Sequence, residues 1–106
     1  MTETNEPPAL GRLLIVDDDE ALADRLSFSL GKRGFETVTA YSREDALGFA
    51  SRAAPDCALI DMRIGEDNGL DLAKTLREMF PECRIVILTA FGNIATAVAA
   101  VKAGAI

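Results

Sequence analysis

Polar side chains that could bind a metal ion or accept a phosphoryl group follow three short apolar runs. Asp17 and Asp18 come after residues 12–16, Asp61 comes after residues 57–60, and Thr89 comes after residues 84–88. A carboxylate can act as a nucleophile and form an acyl phosphate. Mg²⁺ prefers carboxylate and carbonyl oxygens and accepts phosphoryl oxygens as further ligands. These residue types therefore point to Mg²⁺-assisted phosphoryl transfer, in which Thr89 could donate a hydrogen bond to the phosphoryl group.

The acidic residues need a cation if they lie together. Two carboxylates about 4 Å apart repel each other by roughly 4 kcal/mol at a surface-like dielectric. Asp19 and Glu20 have an ordinary explanation, because acidic residues in the first turn of a helix interact favourably with its dipole. That explanation does not extend to Asp17, Asp18 and Asp61. We interpret these three as an acidic pocket that binds Mg²⁺.

The pocket forms only if the strands before these residues share one sheet. Apolar runs and helical spacing alternate along the chain. Strands are predicted at residues 12–16, 36–40, 57–60 and 84–88. Helices are predicted from Asp19 with a stop at Gly34, from Ser42 to a point before Pro55, at residues 70–80, and at residues 93–102 before Gly104, with a polar loop at residues 65–69. This alternation predicts an α/β fold, a doubly wound parallel sheet with helices on both faces. Ligands bind such sheets at the carboxyl ends of the strands.

Composition bounds what the chain can do. Its 106 residues allow one domain, with residues 1–9 predicted to be a disordered leader and residues 10–106 the folded part. The absence of histidine excludes histidine triads and histidine-ligated zinc. The net charge of −6 disfavours nucleic-acid binding, and no apolar run is long enough to span a membrane. The use of only two cysteines suggests a cytoplasmic setting.

Three segments in this order resemble the receiver domain of two-component response regulators. They are residues 13–18 (LLIVDD), 58–62 (ALIDM) and 85–90 (IVILTA). Residues 61–65 (DMRIG) and 91–104 (FGNIATAVAAVKAG) further resemble the PrrA/RegA/ActR group of redox-responsive regulators. The resemblance implies a flavodoxin-like, CheY-like sheet with strand order 2-1-3-4-5. It also implies a phosphorylation switch in a transcriptional regulator, a signalling module that assists its own phosphorylation and is not a turnover enzyme.

The resemblance also implies a role for each residue of the pocket. Asp61 would be the phosphoacceptor. Asp18, Asp61 and the backbone carbonyl of Arg63 would bind Mg²⁺ directly, and Asp17 would act mainly through a metal-bound water. Thr89 would be the switch hydroxyl. The phosphoryl donor would be a phosphohistidine of a sensor histidine kinase, so the histidine belongs to the partner.

Two positions of the family pattern have no counterpart in this sequence. The pattern continues past a Gly-Ala pair to a switch aromatic residue and a phosphoryl-contacting lysine, whereas this sequence ends at Gly104-Ala105-Ile106. Lys74 and Lys102 lie on predicted helices and do not match that lysine. The expectation is a receiver domain without strand 5 and helix 5. The parent protein of this group would bind DNA through a further helix-turn-helix domain, and this fragment would bind none.

A shortened receiver is expected to self-associate. Without strand 5, residues 84–88 would form an apolar, unpaired edge that can pair with another chain. The predicted helix at residues 93–102 is apolar nearly all round, which is typical of a buried helix or of an interface. The expectation is therefore a homo-oligomer that forms through this helix and this strand edge.

Other functions fit parts of the sequence. Asp17-x-Asp19 imitates the nucleophile pair of a Mg²⁺-dependent haloacid-dehalogenase-type phosphatase, which would leave Asp61 unexplained. A pseudo-receiver that only binds partners would be expected to lack some of the pocket acids. Cys57 and Cys83 begin or precede neighbouring strands, so they could be buried apolar residues or a redox disulfide.

Overall fold

The computed structural model describes residues 10–88, which form six strands and three helices. In chain order they are β1 (Arg12–Val16), α1 (Glu20–Gly31), β2 (Glu36–Ala40), α2 (Arg43–Arg52), β3 (Cys57–Asp61), β4 (Arg63–Ile64), β5 (Asp67–Asn68), α3 (Gly69–Met79) and β6 (Arg84–Leu88). The four long strands form one parallel sheet in the order β2-β1-β3-β6. The predicted doubly wound sheet is confirmed, and β6 is the predicted fourth strand.

The central strands are apolar because helices cover both of their faces. All but the first residue of β1 and all but the last residue of β3 are buried. On one face, Ile15 and Leu59 pack with Leu26 of α1. On the other face, Val16 and Ile60 pack with the buried apolar side chains of α2 and α3, which are Ala46, Ala50, Leu72 and Leu76. The alternation of side chains along each strand thus builds two core layers.

Each helix begins at a side chain that accepts a hydrogen bond from a free backbone N–H group. Asp19 Oδ1 accepts from the N–H of Leu22 at 3.1 Å, and Ser42 Oγ accepts from the N–H of Asp45 at 3.1 Å. Asn68 Oδ1 accepts from the N–H of Leu70 at 2.7 Å. These caps stabilise the helix starts by about 1 kcal/mol each, and they fix where the chain turns away from the carboxyl ends of β1 and β2 and from β5.

Two boundaries differ from the sequence prediction. Helix α1 ends at Gly31, before the predicted stop, and Gly34 lies in the following turn with φ of 113°. The predicted polar loop at residues 65–69 is largely ordered: β4 and β5 pair as a short antiparallel hairpin, and Gly69 is already the first residue of α3. The prediction missed the hairpin because each of its strands has two residues, too few for an alternating pattern.

The two cysteines lie in different core layers. Cys57 packs in the layer of α1, whereas Cys83 packs in the layer of α2 and α3. Both are free and buried, and burial raises the pKa of Cys57 and raises that of Cys83 to about 11. Of the two roles that the sequence left open, the structure has them as buried apolar side chains.

Some sequence predictions fall outside residues 10–88. They concern the leader at residues 1–9, Thr89, and the helix at residues 93–102. Within the described part of the chain, none of the helices is both long and apolar enough to cross a membrane.

Candidate functional site

Three carboxylates meet at the carboxyl end of the sheet. Asp17 and Asp18 follow β1, and Asp61 is the last residue of the neighbouring strand β3. One oxygen atom from each of them lies within 4.8 Å of the others. The parallel pairing of β1 with β3 causes this convergence, since it brings the two strand ends to the same edge. The predicted acidic cluster of Asp17, Asp18 and Asp61 is therefore present.

Asp17 is the innermost of the three carboxylates. Asp17 is only 2% exposed, and its Oδ1 accepts a hydrogen bond from the backbone N–H of Asp19 at 2.9 Å. Burial is the main cause that raises its pKa from 3.8 to about 6. The Asp19 N–H opposes that shift, whereas the charges of Asp61, Asp18 and Asp19 add to it. A carboxylate in this position gains from a cation placed beside it.

Asp61 is half-buried, so its carboxylate lies at the rim of the cluster. Burial raises its pKa, and the negative charge of Asp18 raises it further. The backbone N–H groups of Met62 and Arg63 act in the opposite direction, because they hydrogen-bond to the ionised carboxylate. The acceptor predicted from the sequence is thus partly exposed and close to two other acids.

The β4–β5 hairpin contacts the cluster through Asp18. The backbone N–H of Gly65 donates a hydrogen bond to Asp18 Oδ2 at 3.0 Å. Gly65 has φ of 62° and is the first residue of the two-residue turn between β4 and β5. Two-residue hairpin turns need a positive φ at this position, which favours glycine. The sequence analysis did not assign Gly65 a contact with the site. The Gly65-Glu66 pair, flanked by two short segments, is the hairpin signal that could have indicated it.

Arg63 and Thr89 complete the set of predicted site residues. Arg63 is the first residue of β4, two positions after Asp61, and pairs with Asn68. Thr89 lies outside the described residues. The strand that leads to Thr89 does contact the site, because the carbonyl of Leu88 accepts a hydrogen bond from the N–H of Met62 at 3.0 Å. The described part of the chain therefore joins β6 to the backbone directly after Asp61.

The donor set fits a hard divalent cation. All three side chains supply carboxylate oxygens, the ligand type that Mg²⁺ prefers. Asp17 is buried among like charges, and a bound cation would offset both its desolvation and that repulsion. The residues present are thus chemically suited to the ion that the sequence predicted.

Removal of one charge from the cluster is expected to stabilise the metal-free protein. Asp61→Asn replaces a half-buried carboxylate whose pKa burial and Asp18 raise, so the variant loses a repulsive interaction. We expect a stabilisation of about 1 kcal/mol, which raises the melting temperature by roughly 4–8 °C for a domain of this size. Thermal unfolding in buffer with a chelator measures it. Asp45→Asn, an exposed acid of α2, is the matched control, and an equal change in both variants would contradict the clustering argument.

The chain is similar in sequence to a known family and to curated regulatory proteins. The family described as "Response regulator receiver domain" matches residues 13–106. The photosynthetic apparatus regulatory protein RegA of Cereibacter sphaeroides is 50% identical over 93 residues, which cover 88% of this chain and 50% of that protein. The acid tolerance regulatory protein ActR of Sinorhizobium medicae is 44% identical over 94 residues, which cover 89% of this chain and 48% of that protein. The chain thus spans about half the length of these curated relatives.

A solved structure agrees with the fold. A response regulator from Burkholderia pseudomallei, crystallised with a phosphorylated aspartic acid, a calcium ion and citrate, superimposes with a TM-score of 0.72 at 37% identity. The similarity covers 89% of this chain and 55% of that one. The fold of this chain therefore has a counterpart among known structures.

Proposed function

The chain belongs to the response regulator receiver domain family, and we propose that it is a phosphorylation switch whose acceptor is Asp61. The observation that carries this proposal is the cluster of Asp17, Asp18 and Asp61 at the carboxyl end of the sheet, with Asp61 at its accessible rim. A similar regulator from Burkholderia pseudomallei holds a phosphorylated aspartic acid and a calcium ion. That combination of an acyl phosphate and a divalent cation supports the same chemistry here.

The proposed reaction transfers a phosphoryl group between two nucleophiles. An oxygen of the Asp61 carboxylate forms a bond to phosphorus while the bond from phosphorus to the imidazole nitrogen of a phosphohistidine breaks. The imidazole leaves on the partner protein, a sensor histidine kinase, and Asp61 becomes an acyl phosphate. Mg²⁺ bound at the cluster would neutralise charge on the phosphoryl oxygens.

Several residues of this chain would each have a separate role in that transfer. Asp18, Asp61 and the backbone carbonyl of Arg63 would hold Mg²⁺, and Asp17 would act mainly through a water on the metal. The backbone N–H groups of Met62 and Arg63 lower the pKa of Asp61, so they would favour the ionised carboxylate that attacks phosphorus. Thr89 would donate its hydroxyl to the phosphoryl group and act as the switch residue.

The wider role of the protein follows from its relatives. RegA and ActR are named as regulatory proteins, and we propose that this chain likewise controls transcription as the receiver of a longer DNA-binding regulator. It would be a cytoplasmic signalling module, with no turnover of a substrate beyond its own phosphorylation and dephosphorylation.

Phosphorylation by a small donor tests the function. The protein is incubated with acetyl phosphate, with and without Mg²⁺, and its intact mass is measured. We expect one phosphoryl group per chain, formed only with Mg²⁺ and lost at alkaline pH, as an acyl phosphate should be. A protein that stays unmodified while folded would instead support a pseudo-receiver that only binds partners.

Self-association is expected through β6 and the segment that follows it. Among residues 10–88, β6 pairs only with β3, and Ile85 and Ile87 face an apolar groove formed with Leu70 and Ala73 of α3. Light scattering after size exclusion should show a mass that rises with concentration, and Ile87→Lys should reduce that rise. Phe28→Ser is the control and should not reduce it; Phe28 is 68% exposed, more than any other large apolar side chain among residues 10–88. A monomer at all concentrations would contradict the proposal.

A further inference from the structure

Gly69 lies against the peptide group that joins Asp61 to Met62. A Cβ atom at Gly69 would overlap the carbonyl oxygen of Asp61 and would lie 3.0 Å from the Asp61 carbonyl carbon and 3.1 Å from that of Met62. The N–H of Gly69 donates a hydrogen bond to the Met62 carbonyl at 2.7 Å. No side chain fits in this contact, because the nearest atoms belong to backbone and cannot rotate away.

The same peptide group also joins the acceptor to the end of β6. Its carbonyl oxygen belongs to Asp61 and packs on Gly69, whereas its N–H belongs to Met62. That N–H donates a hydrogen bond to the carbonyl of Leu88 at 3.0 Å, and it also lowers the pKa of the adjacent Asp61 carboxylate. Because a peptide group is planar, a displacement of the carbonyl oxygen also moves the N–H. A change in the contact at Gly69 would therefore affect the position of both the Asp61 carboxylate and the end of β6.

We propose that Gly69 is a positioning residue for the phosphoacceptor. Its lack of a side chain lets the first turn of α3 pack on the Asp61–Met62 peptide, and that packing holds the acceptor carboxylate and the following Arg63 backbone in the geometry for transfer. This inference rests on the proposed function of Asp61. It assigns the start of α3 a part in the chemistry, although α3 contributes no side chain to the acidic cluster.

The alternative role for Gly69 is packing alone, which affects stability but not the reactivity of the folded protein. The other helical glycines allow a comparison, since a Cβ at Gly48 or Gly31 would meet no atom within 4 Å. Gly48→Ala is therefore a matched control that adds the same methyl group without the contact. Leu76→Val, at a fully buried position of α3, is a second control that destabilises the helix away from Asp61.

The test measures the rate of phosphorylation by acetyl phosphate at saturating Mg²⁺, divided by the folded fraction from circular dichroism. A rate at saturating metal separates acceptor geometry from metal affinity. For Gly69→Ala we expect a rate about 10–100-fold below that of the wild type, as for other supporting residues of a metal site. Gly48→Ala and Leu76→Val should react at the wild-type rate per folded molecule.

An unchanged rate for folded Gly69→Ala would overturn the proposal, as would an equal loss in Leu76→Val. If Gly69→Ala does not fold, the test uses Asn68→Ala instead. This variant adds no atoms and only removes the side chain that caps α3 at the N–H of Leu70. A severalfold lower rate per folded molecule supports the proposal, and an unchanged rate overturns it. Failure of the wild type to react at Asp61 would instead refute the proposed function.

Discussion

Asp61→Asn is expected to remove the phosphoryl adduct completely. An amide nitrogen or oxygen at this position is a far weaker nucleophile than a carboxylate, and the change also removes one ligand of the proposed metal. After incubation with acetyl phosphate and Mg²⁺, intact mass should show the unmodified chain, even when the wild type is fully modified. Asp45→Asn removes the same charge from an exposed position of α2 and should leave the adduct unchanged.

We do not expect either of the other two acids of the cluster to replace Asp61 as the acceptor. Asp17 is only 2% exposed and accepts a hydrogen bond from Asp19, so a donor has little access to its oxygens. Asp18 is exposed, but its Oδ2 accepts a hydrogen bond from the N–H of Gly65 at 3.0 Å, and we propose this residue as a ligand of Mg²⁺. An adduct that persists in Asp61→Asn would contradict this assignment, and its presence on Asp17 would favour the phosphatase alternative.

The second large effect concerns pH and Asp17. The folded protein raises the pKa of Asp17 from 3.8 to about 6, chiefly by burial. Between these values the folded state binds more protons than the unfolded state, so the free energy of unfolding falls as pH rises. This loss of stability begins near pH 4 and is complete above about pH 6. At 1.36 kcal/mol per pKa unit it amounts to about 3 kcal/mol, or roughly 10 °C or more in melting temperature.

Asp17→Asn should abolish most of that pH dependence in metal-free buffer. The asparagine oxygen can still accept from the N–H of Asp19, so the variant removes the charge and keeps the hydrogen bond. Melting temperatures measured from pH 4 to pH 7.5 should fall for the wild type and should fall much less for the variant, in which only Asp61 of the cluster keeps a raised pKa. Mg²⁺ should offset the loss of stability in the wild type, most strongly at pH 6 and above, because it binds the ionised cluster and so stabilises the folded state. A wild-type curve that stays flat without metal would contradict the buried, titrating Asp17.

The sequence sufficed to predict the sheet and the acidic cluster because both depend on simple patterns. Apolar runs alternate with helical spacing, so the parallel order and the convergence of Asp17, Asp18 and Asp61 follow from the rule that strand ends share one edge. The caps at Asp19 and Ser42 were predictable for a similar reason, since each acts within three residues of its own position.

The contacts around the hairpin could not be predicted in the same way. The hydrogen bond from Gly65 to Asp18 joins residues 47 positions apart, and the close packing of Gly69 on Asp61 depends on the exact path of the backbone. A glycine at residue 69 reads equally well as a loop residue or as the start of a helix. The placement of Cys57 and Cys83 in different core layers could not be predicted either, because the layer that Cys83 enters depends on where β6 begins.

Identification of the modified residue is the most direct test of the account. Borohydride reduces an aspartyl phosphate to homoserine and releases phosphate, so the acceptor acquires a permanent mass label. After phosphorylation with acetyl phosphate and Mg²⁺, reduction and peptide mapping, we predict homoserine at residue 61 and at no other aspartate. Homoserine at Asp17, or an unlabelled Asp61 in a folded chain, would contradict the assignment of Asp61 as the phosphoacceptor.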